Sequence, residues 1–572
     1  MDVKALAEQS TSVPHSTEDW KTRAERKRQS QLNSIPSEWR ITVPQDRYNV
    51  LQVPYECGLL DSLEIEITDT LDVSKILENL KTGTWSSVQV TRAFYKRALV
   101  AHQTTNCLTE IFVERALARA EEMDRYLKEH GKPKGPAEEM DRYLKEHGEP
   151  KGPLHGLPIS LKDQFTIKGL ETVNGYVANI GDFATKDSVL VEILYELGAV
   201  PFTRTNVPQT LMWGETYNNV FGRTLNPYDL RLTSGGSSGG EGSLIAMRGS
   251  PLGVGTDIGG SIRIPSTMCG LYGLRPSYCR FPYHGARNTM EGQESVMSVL
   301  GPMSNSLSGL EVFTRAILSS RPWLRDPLCI RKAWDQEAYE LIEHGGPGAK
   351  KCFAMLFIEW ENRRHEDIFY NVEKQIFLAD GDEDFKRECA KSGEPRIQTM
   401  DPELYSHELH DPERNKGIEI IEPLSVWQLW QLHKEKRDLR KEYLDHWQAT
   451  VSRTTTGRPV DAVISPAVPY AAPPHGKNSS AFYTSLWNGV DCTVGVVPVT
   501  FVDPNIDKPV PPHEFYSDED RDIYHMYDPE VFKGAPIGLQ VVGQRLEEEA
   551  VLAMMGEVDE ALRAYKTRNS LN

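Results

Sequence analysis

Cysteine is sparse in this 572-residue chain: Cys57, Cys107, Cys269, Cys279, Cys329, Cys352, Cys389 and Cys492, with no CxxC pair among them. A secreted disulfide scaffold would be far denser in cysteine for its length, so the pattern points to reduced thiols in a cytoplasmic protein. The first twenty residues hold no apolar stretch of the kind a secretory signal needs. Long hydrophobic runs are missing as well. Residues 494–502 (VGVVPVTFV) form a run of nine that contains a proline, too short to span a bilayer. Positive charge is in deficit, with 64 Lys and Arg against 82 Asp and Glu, a net charge of −18. Such a surface repels nucleic acid and anionic lipid, which excludes both as expected partners. The one basic run, residues 23–28 (RAERKR), reads as a solvated helix face.

Several chemical signatures are missing too. No GxxxxGKS or GxxxxGKT phosphate loop occurs, and residues 253–255 (GVG) do not continue into GxGxxG. His407-Glu408-Leu409-His410 is not the HExxH of a zinc hydrolase and reads as a charged surface segment. The expectation is therefore an enzyme with no metal and no cofactor.

What remains is an ordinary globular composition, 39% hydrophobic and 26% charged, with ample material for a large core. Residues 1–70 are polar and read as helix and loop wrapping something larger. Helical patterns follow at about 72–82 and 86–101, with Ser86 and Ser87 as candidate N-caps, and again from about Thr109 to His130. The last runs into a tandem repeat: residues 120–136 (AEEMDRYLKEHGKPKGP) and 137–153 (AEEMDRYLKEHGEPKGP) differ only at Lys132 and Glu149. Two copies do not make a solenoid, so the repeat at 120–153 reads as a surface insertion. Residues 154–320 alternate short apolar runs with Gly-rich turns, as an α/β core does. Residues 320–455 read as helices and loops decorating that core. Strand-like runs return at 462–469, 494–502 and 535–543 and complete the same sheet. The expected organisation is one discontinuous catalytic core over 71–550, with 551–572 as a C-terminal helix or tail.

Two Gly/Ser stretches stand out: residues 235–242 (GGSSGGEG) and 255–261 (GTDIGGS). Glycine this dense costs backbone entropy, so something must require unusual dihedrals or close approach. Linkers would be exposed and polar, yet these stretches flank an apolar run and hold an Asp, with Arg263 just beyond the second. Residues 235–239 formally match the GxSxG nucleophile elbow, but 229–234 (DLRLTS) makes a poor buried strand before it. The third reading uses both stretches. The backbone amides of Ile258, Gly259, Gly260 and Ser261 could converge on one oxygen, forming an oxyanion hole, with the Ser261 hydroxyl beside it as attacker. A serine needs a base, and no histidine falls in these stretches. Lys162, alone in the apolar run 157–163 (LPISLKD), is the candidate. Lowering a lysine from about 10.4 to neutrality by burial costs roughly 4–5 kcal/mol, and taken alone Lys162 reads as a structural lysine.

Taken together, residues 153–165 (PLHGLPISLKDQF), 233–245 (TSGGSSGGEGSLI) and 253–277 (GVGTDIGGSIRIPSTMCGLYGLRPS) resemble the amidase signature family. The spacings agree with that family: 75 residues from Lys162 to Ser237 and 24 from Ser237 to Ser261. The resemblance covers about 80–550. It implies a large mixed, mostly parallel sheet flanked by helices, and a Ser–Ser–Lys triad. Ser261 matches the nucleophile, Ser237 the serine after a cis peptide bond that relays the proton, and Lys162 the base. Ser238, Asp257 and Arg263 match bracing positions. Residues 205–212 (TNVPQTLM), 290–294 (MEGQE) and 483–488 (YTSLWN), with Trp20 and Trp39, are similar to fungal acetamidase-type and general amidases. The absence of a membrane span argues against a membrane-bound fatty-acid-amide hydrolase.

The expected reaction is hydrolysis of a small aliphatic amide such as acetamide through an acyl-enzyme. Alternatives are a dedicated pathway amidase taking a larger amide, a transamidase-type subunit, and a non-catalytic scaffold. The expected partner is a small-molecule amide, and a homodimer is compatible with the chain. Leu211, Met212 and Trp213, with Tyr217, Tyr483, Trp487 and Asn488, are the expected acyl-pocket residues.

Overall fold

In the computed structural model, residues 18–130, 152–355, 360–362, 364–402 and 422–570 are described. Most of the tandem repeat and the 407–410 segment therefore lie outside the described residues.

The N-terminal helix α1 (Trp20–Asn33) is capped by the Asp19 carboxylate. Its basic run is not a simple solvated face, which corrects the expectation. Lys27 Nζ lies 2.5 Å from both Glu110 and Glu171, Arg23 donates to the Ile180 carbonyl at 2.6 Å, and Arg28 to that of Val220 at 2.9 Å. The acidic and carbonyl-rich surface it meets supplies the partners. After α2 (Val73–Thr82), α3 (Ser87–Thr105) begins at a capping box, Ser86 with Gln89, and ends on left-handed Asn106. The pattern from Thr109 then divides: residues 108–111 form strand β1 (Leu108–Ile111), and the helix α4 (Val113–His130) starts only after it. Pairing of β1 with a neighbouring strand overrides the local helical signal.

The sheet core follows as β2 (Pro158–Lys162), α5 (Val189–Glu196) and β3 (Val200–Thr205), then two short ribbons, β4 (Tyr217–Asn218) with β5 (Gly222–Arg223) and β6 (Leu225–Asn226) with β7 (Asp229–Thr233). Residues 229–233 form a strand, but it lies in a two-stranded ribbon outside the main sheet, with Leu230 half-buried and Arg231 exposed, not in the buried sheet position a nucleophile elbow needs. Next come α6 (Gly239–Ala246), β8 (Leu252–Asp257), α7 (Arg263–Met268), β9 (Tyr272–Arg275), β10 (Val299–Ser304) and α8 (Leu307–Ser319). The charged region 320–455 contributes β11 (Phe353–Met355), a π-helical turn at Asp367–Glu373 and the long α9 (Val426–Ala449). The chain closes with β12 (Ala462–Pro466), α10 (Phe482–Val490), β13 (Val494–Phe501), α11 (Asp518–Met526), β14 (Pro536–Val542) and α12 (Glu548–Ser570).

Ten strands make one sheet in the order β1-β3-β2-β8-β10-β9-β13-β14-β12-β11. The late runs at 462–469, 494–502 and 535–543 thus complete the sheet begun by β2, as expected. The sheet is mixed and flanked by helices. Its parallel pairs are β2–β3, β2–β8 and β11–β12. The other neighbours, β1–β3, β8–β10, β10–β9, β9–β13, β13–β14 and β14–β12, run antiparallel. The expectation of mostly parallel pairing is corrected in this detail, because β1, β10 and β13 each run against the neighbours they lie between or beside.

Strand alternation decides the rest. In β2, Ile159 and Leu161 enter a core shared with Leu190, Ile193 and Leu194 of α5. Ser160 and Lys162 therefore face the other way, toward α6.

Candidate active site

Three sequence-distant segments meet at the carboxyl ends of the parallel strands β2, β3 and β8, where α/β sheets commonly bind ligands. Lys162 ends β2 and Asp257 ends β8. Between them runs the loop from β7 to α6, which carries Ser237 and Ser238. The Gly236–Ser237 peptide bond is cis. Glycine is required at 236 because a Cβ there would lie 2.6 Å from the carbonyl oxygens of Trp213 and Glu215.

Lys162 Nζ donates to Ser237 Oγ and to Thr256 Oγ1, each at 2.7 Å. Thr256 Oγ1 in turn donates a hydrogen bond to Gln164 Oε1 at 2.6 Å. Lys162 is fully buried, and burial drags its ammonium down to about 7 against the upward pull of Asp257 and Glu241. Ser237 is 1% exposed and Ser261 8%, so Ser261 is the hydroxyl nearer to incoming ligand. Ser237 and Ser261 line one small void with Thr256, and Ser261 alone of the two also lines the large cavity outside it. The Ser238 amide donates to the Ser261 carbonyl at 3.2 Å, tying the two Gly/Ser stretches together.

Asp257 organises the second stretch. Its carboxylate accepts from the Gly260 amide at 2.8 Å, the Ile262 amide at 3.1 Å and Arg263 at 2.9 and 3.0 Å. Burial alone would raise this carboxyl. The Arg263 charge and hydrogen bonds, the charge of Arg275 and a bond from Asn488 outweigh burial and hold it well below the usual range. Arg263 is anchored in turn by the Thr484 carbonyl at 2.7 Å and by Asn488 at 2.5 Å. One expected oxyanion donor is corrected here: the Gly260 N–H is directed back to Asp257 within the turn. Ile258, Gly259 and Ser261 line the large cavity.

That cavity has a volume of about 1070 Å³. Leu211, Met212 and Trp213 line it, as do Phe369 and Tyr370 of the π-helical turn and Ile523 and Met526 of α11. Tyr217, Tyr483, Trp487 and Asn488 do not line it. Trp487 is fully buried against Tyr443 and His365, and Asn488 braces Asp257 and Arg263. Tyr217 lies under the Arg223 guanidinium, and Tyr483 packs on Phe482. Sequence reasoning missed Thr256, Gln164 and Glu241. All three lie inside the quoted motifs, but their roles depend on which strands become neighbours.

The family model described as Amidase matches residues 135–344 and 357–552. The chain is 38% identical to an acetamidase of Emericella nidulans, over 95% of this chain and 98% of that protein. It is likewise 38% identical to an acetamidase of Aspergillus oryzae, over 95% and 99%. Among solved structures, a fatty acid amide hydrolase superposes with a TM-score of 0.80 at 31% identity, covering 96% of this chain and 95% of that one. No helix among the described residues is long and apolar enough to cross a membrane.

Proposed function

Because this chain belongs to the amidase (amidase signature) family, we propose that it hydrolyses a carboxylic amide to carboxylate and ammonia with Ser261 as nucleophile, Ser237 as relay and Lys162 as base. The observation that carries this reading is the buried Lys162 Nζ–Ser237 Oγ hydrogen bond of 2.7 Å, beside a serine that opens on a cavity. Neutral Lys162 takes the Ser237 proton while Ser237 takes that of Ser261. Ser261 Oγ then attacks the amide carbon. The amides of Ile258, Gly259 and Ser261 are the donors available to the oxyanion, where each donor is worth roughly 3–4 kcal/mol of barrier. The relay reverses to protonate the departing nitrogen, releasing ammonia and leaving an ester on Ser261. Water, deprotonated through the same relay, cleaves that ester. Thr256, itself donating to Gln164, accepts one Lys162 N–H and so holds the amine beside Ser237.

The names of the two acetamidase relatives favour a small aliphatic amide as substrate. The cavity favours a second reading, a bulkier apolar or aromatic amide, since about 1070 Å³ walled by Trp213, Phe369 and Tyr370 far exceeds what acetamide fills. Ammonia release across acetamide, longer aliphatic amides, benzamide and indole-3-acetamide decides between them. Purified chain acting alone on any of these also excludes a need for partner subunits, and Ser261→Ala abolishes release. Turnover by Ser261→Ala contradicts the mechanism.

A further inference from the structure

Glu241 is the third residue of α6, four residues beyond Ser237, and it is fully buried. Its Oε2 accepts from Ser160 Oγ at 2.6 Å and its Oε1 from Thr205 Oγ1 at 2.9 Å. Ser160 lies two residues before Lys162 on the same face of β2, and Thr205 is the register partner of Lys162 on β3. On the far side, Gly253 of β8 is opposite Ser160 in register, and a Cβ there would collide with Glu241 Oε2. The carboxyl group is thus clamped over the three strands that present Lys162, by donors that are all neutral hydroxyls.

Burying a carboxylate without a cation is costly, and among the described residues no ion pair to Glu241 is formed. The other charged or titratable groups around it are accounted for. Asp257 on β8 is paired with Arg263. Asp163, the next residue after Lys162, turns to Arg204 at 3.5 Å. The Cys107 thiol and the Tyr283 phenol are each pushed up to about 12 by burial and stay neutral. Arg97 of α3 reaches the far end of the α6 segment, donating to the Met247 carbonyl. Lys162 is left as the group whose charge Glu241 can sense.

We infer that Glu241 is a positioning residue whose charge acts on Lys162 through space and so sets the pH at which Lys162 becomes a neutral base. This inference rests on the proposed role of Lys162. The two groups act on each other in the expected directions: Glu241 raises Lys162, and Lys162 lowers a Glu241 carboxyl that burial has pushed up to about 7. With Glu241 ionised, Lys162 holds its proton to higher pH. With Glu241 neutral, it yields that proton sooner.

The test is the pH profile of kcat/KM for Glu241→Gln, which keeps the shape and one acceptor oxygen. The acid limb is expected to move to lower pH by about one unit, the size of effect a nearby charge has on a titrating group. The rate at which a fluorophosphonate labels Ser261 should move with it. Thr205→Val, which removes one hydrogen bond to the carboxylate, should shift the limb the same way by less, and serves if Glu241→Gln does not fold. A purely structural role would lower activity at every pH and leave the limb in place, and an unmoved or upward-shifted limb in both variants overturns the inference. Ser261→Ala is run in parallel: activity there removes the triad reading itself. A dead Ser261→Ala with an unmoved limb removes only the role of Glu241.

Discussion

Lys162 is made a usable base by burial, which penalises its charged form, and the same penalty costs the folded protein stability. Its folded value of about 7 lies below the free-lysine value of about 10.4. Between those two pH values the unfolded chain binds more protons, so this residue makes stability rise with pH. Lys162→Met removes that dependence. The variant should be the more stable protein at pH 7, with an advantage that shrinks toward pH 10 by up to about 1.4 kcal/mol per unit. Chemical denaturation of both proteins across that range checks it, and a constant difference contradicts it. Asp257 poses the converse case. Truncating it to Ala leaves Arg263 buried and unpaired, and a loss of roughly 3–5 kcal/mol is expected in the same measurement. Ser261, Ser237 and Lys162 were legible because a fixed spacing singled them out. Thr256 and Gln164 were not, because a threonine and a glutamine gain meaning only when β2 and β8 become hydrogen-bonded neighbours, with Lys162 and Thr256 separated by 94 residues.

At the scale of elements, the large cavity beside Ser261 is built by excursions from the sheet. β13 and β14 are adjacent antiparallel strands, yet the chain between them travels out to form α11, whose Ile523 and Met526 reach the cavity wall. The π-helical turn supplies Phe369 and Tyr370 from the other side, and Tyr370 Oη donates to Glu519 of α11 at 3.3 Å across the gap. Ile523→Trp should therefore narrow the cavity without touching Lys162, Ser237 or Ser261. For bulky amides kcat/KM should fall by about tenfold or more while acetamide is little affected, a difference on the scale that apolar pockets achieve. Equal losses on both substrates would show that α11 does not form the substrate wall. The strands β12, β13 and β14 were readable from their apolar runs. The short β1 and the ribbon strand β7 were not, since four or five residues carry little periodic signal and each is held by its partner strand. The cavity walls were the least legible part: of the aromatic residues singled out, Trp487 belongs to the core, while Phe369 and Tyr370 came from a charged, weakly patterned region.

Across the whole molecule, one sheet gathers strands from residue 108 to residue 542, and α1 clasps it through Lys27. The tandem repeat joins α4 to β2 and ends before Lys162. Deleting residues 137–153 leaves the near-identical 120–136 copy to make the same junction. Ammonia release and the thermal midpoint should stay close to those of the parent chain, and loss of either would make the second copy structural. The central claim concerns which serine attacks. Labelling the full-length protein with a fluorophosphonate and mapping the adduct by peptide mass spectrometry tests it directly. The account predicts phosphonate on Ser261, with labelling that strengthens as pH rises through about 7, where Lys162 loses its proton. An adduct on Ser237, the GxSxG serine, would contradict it.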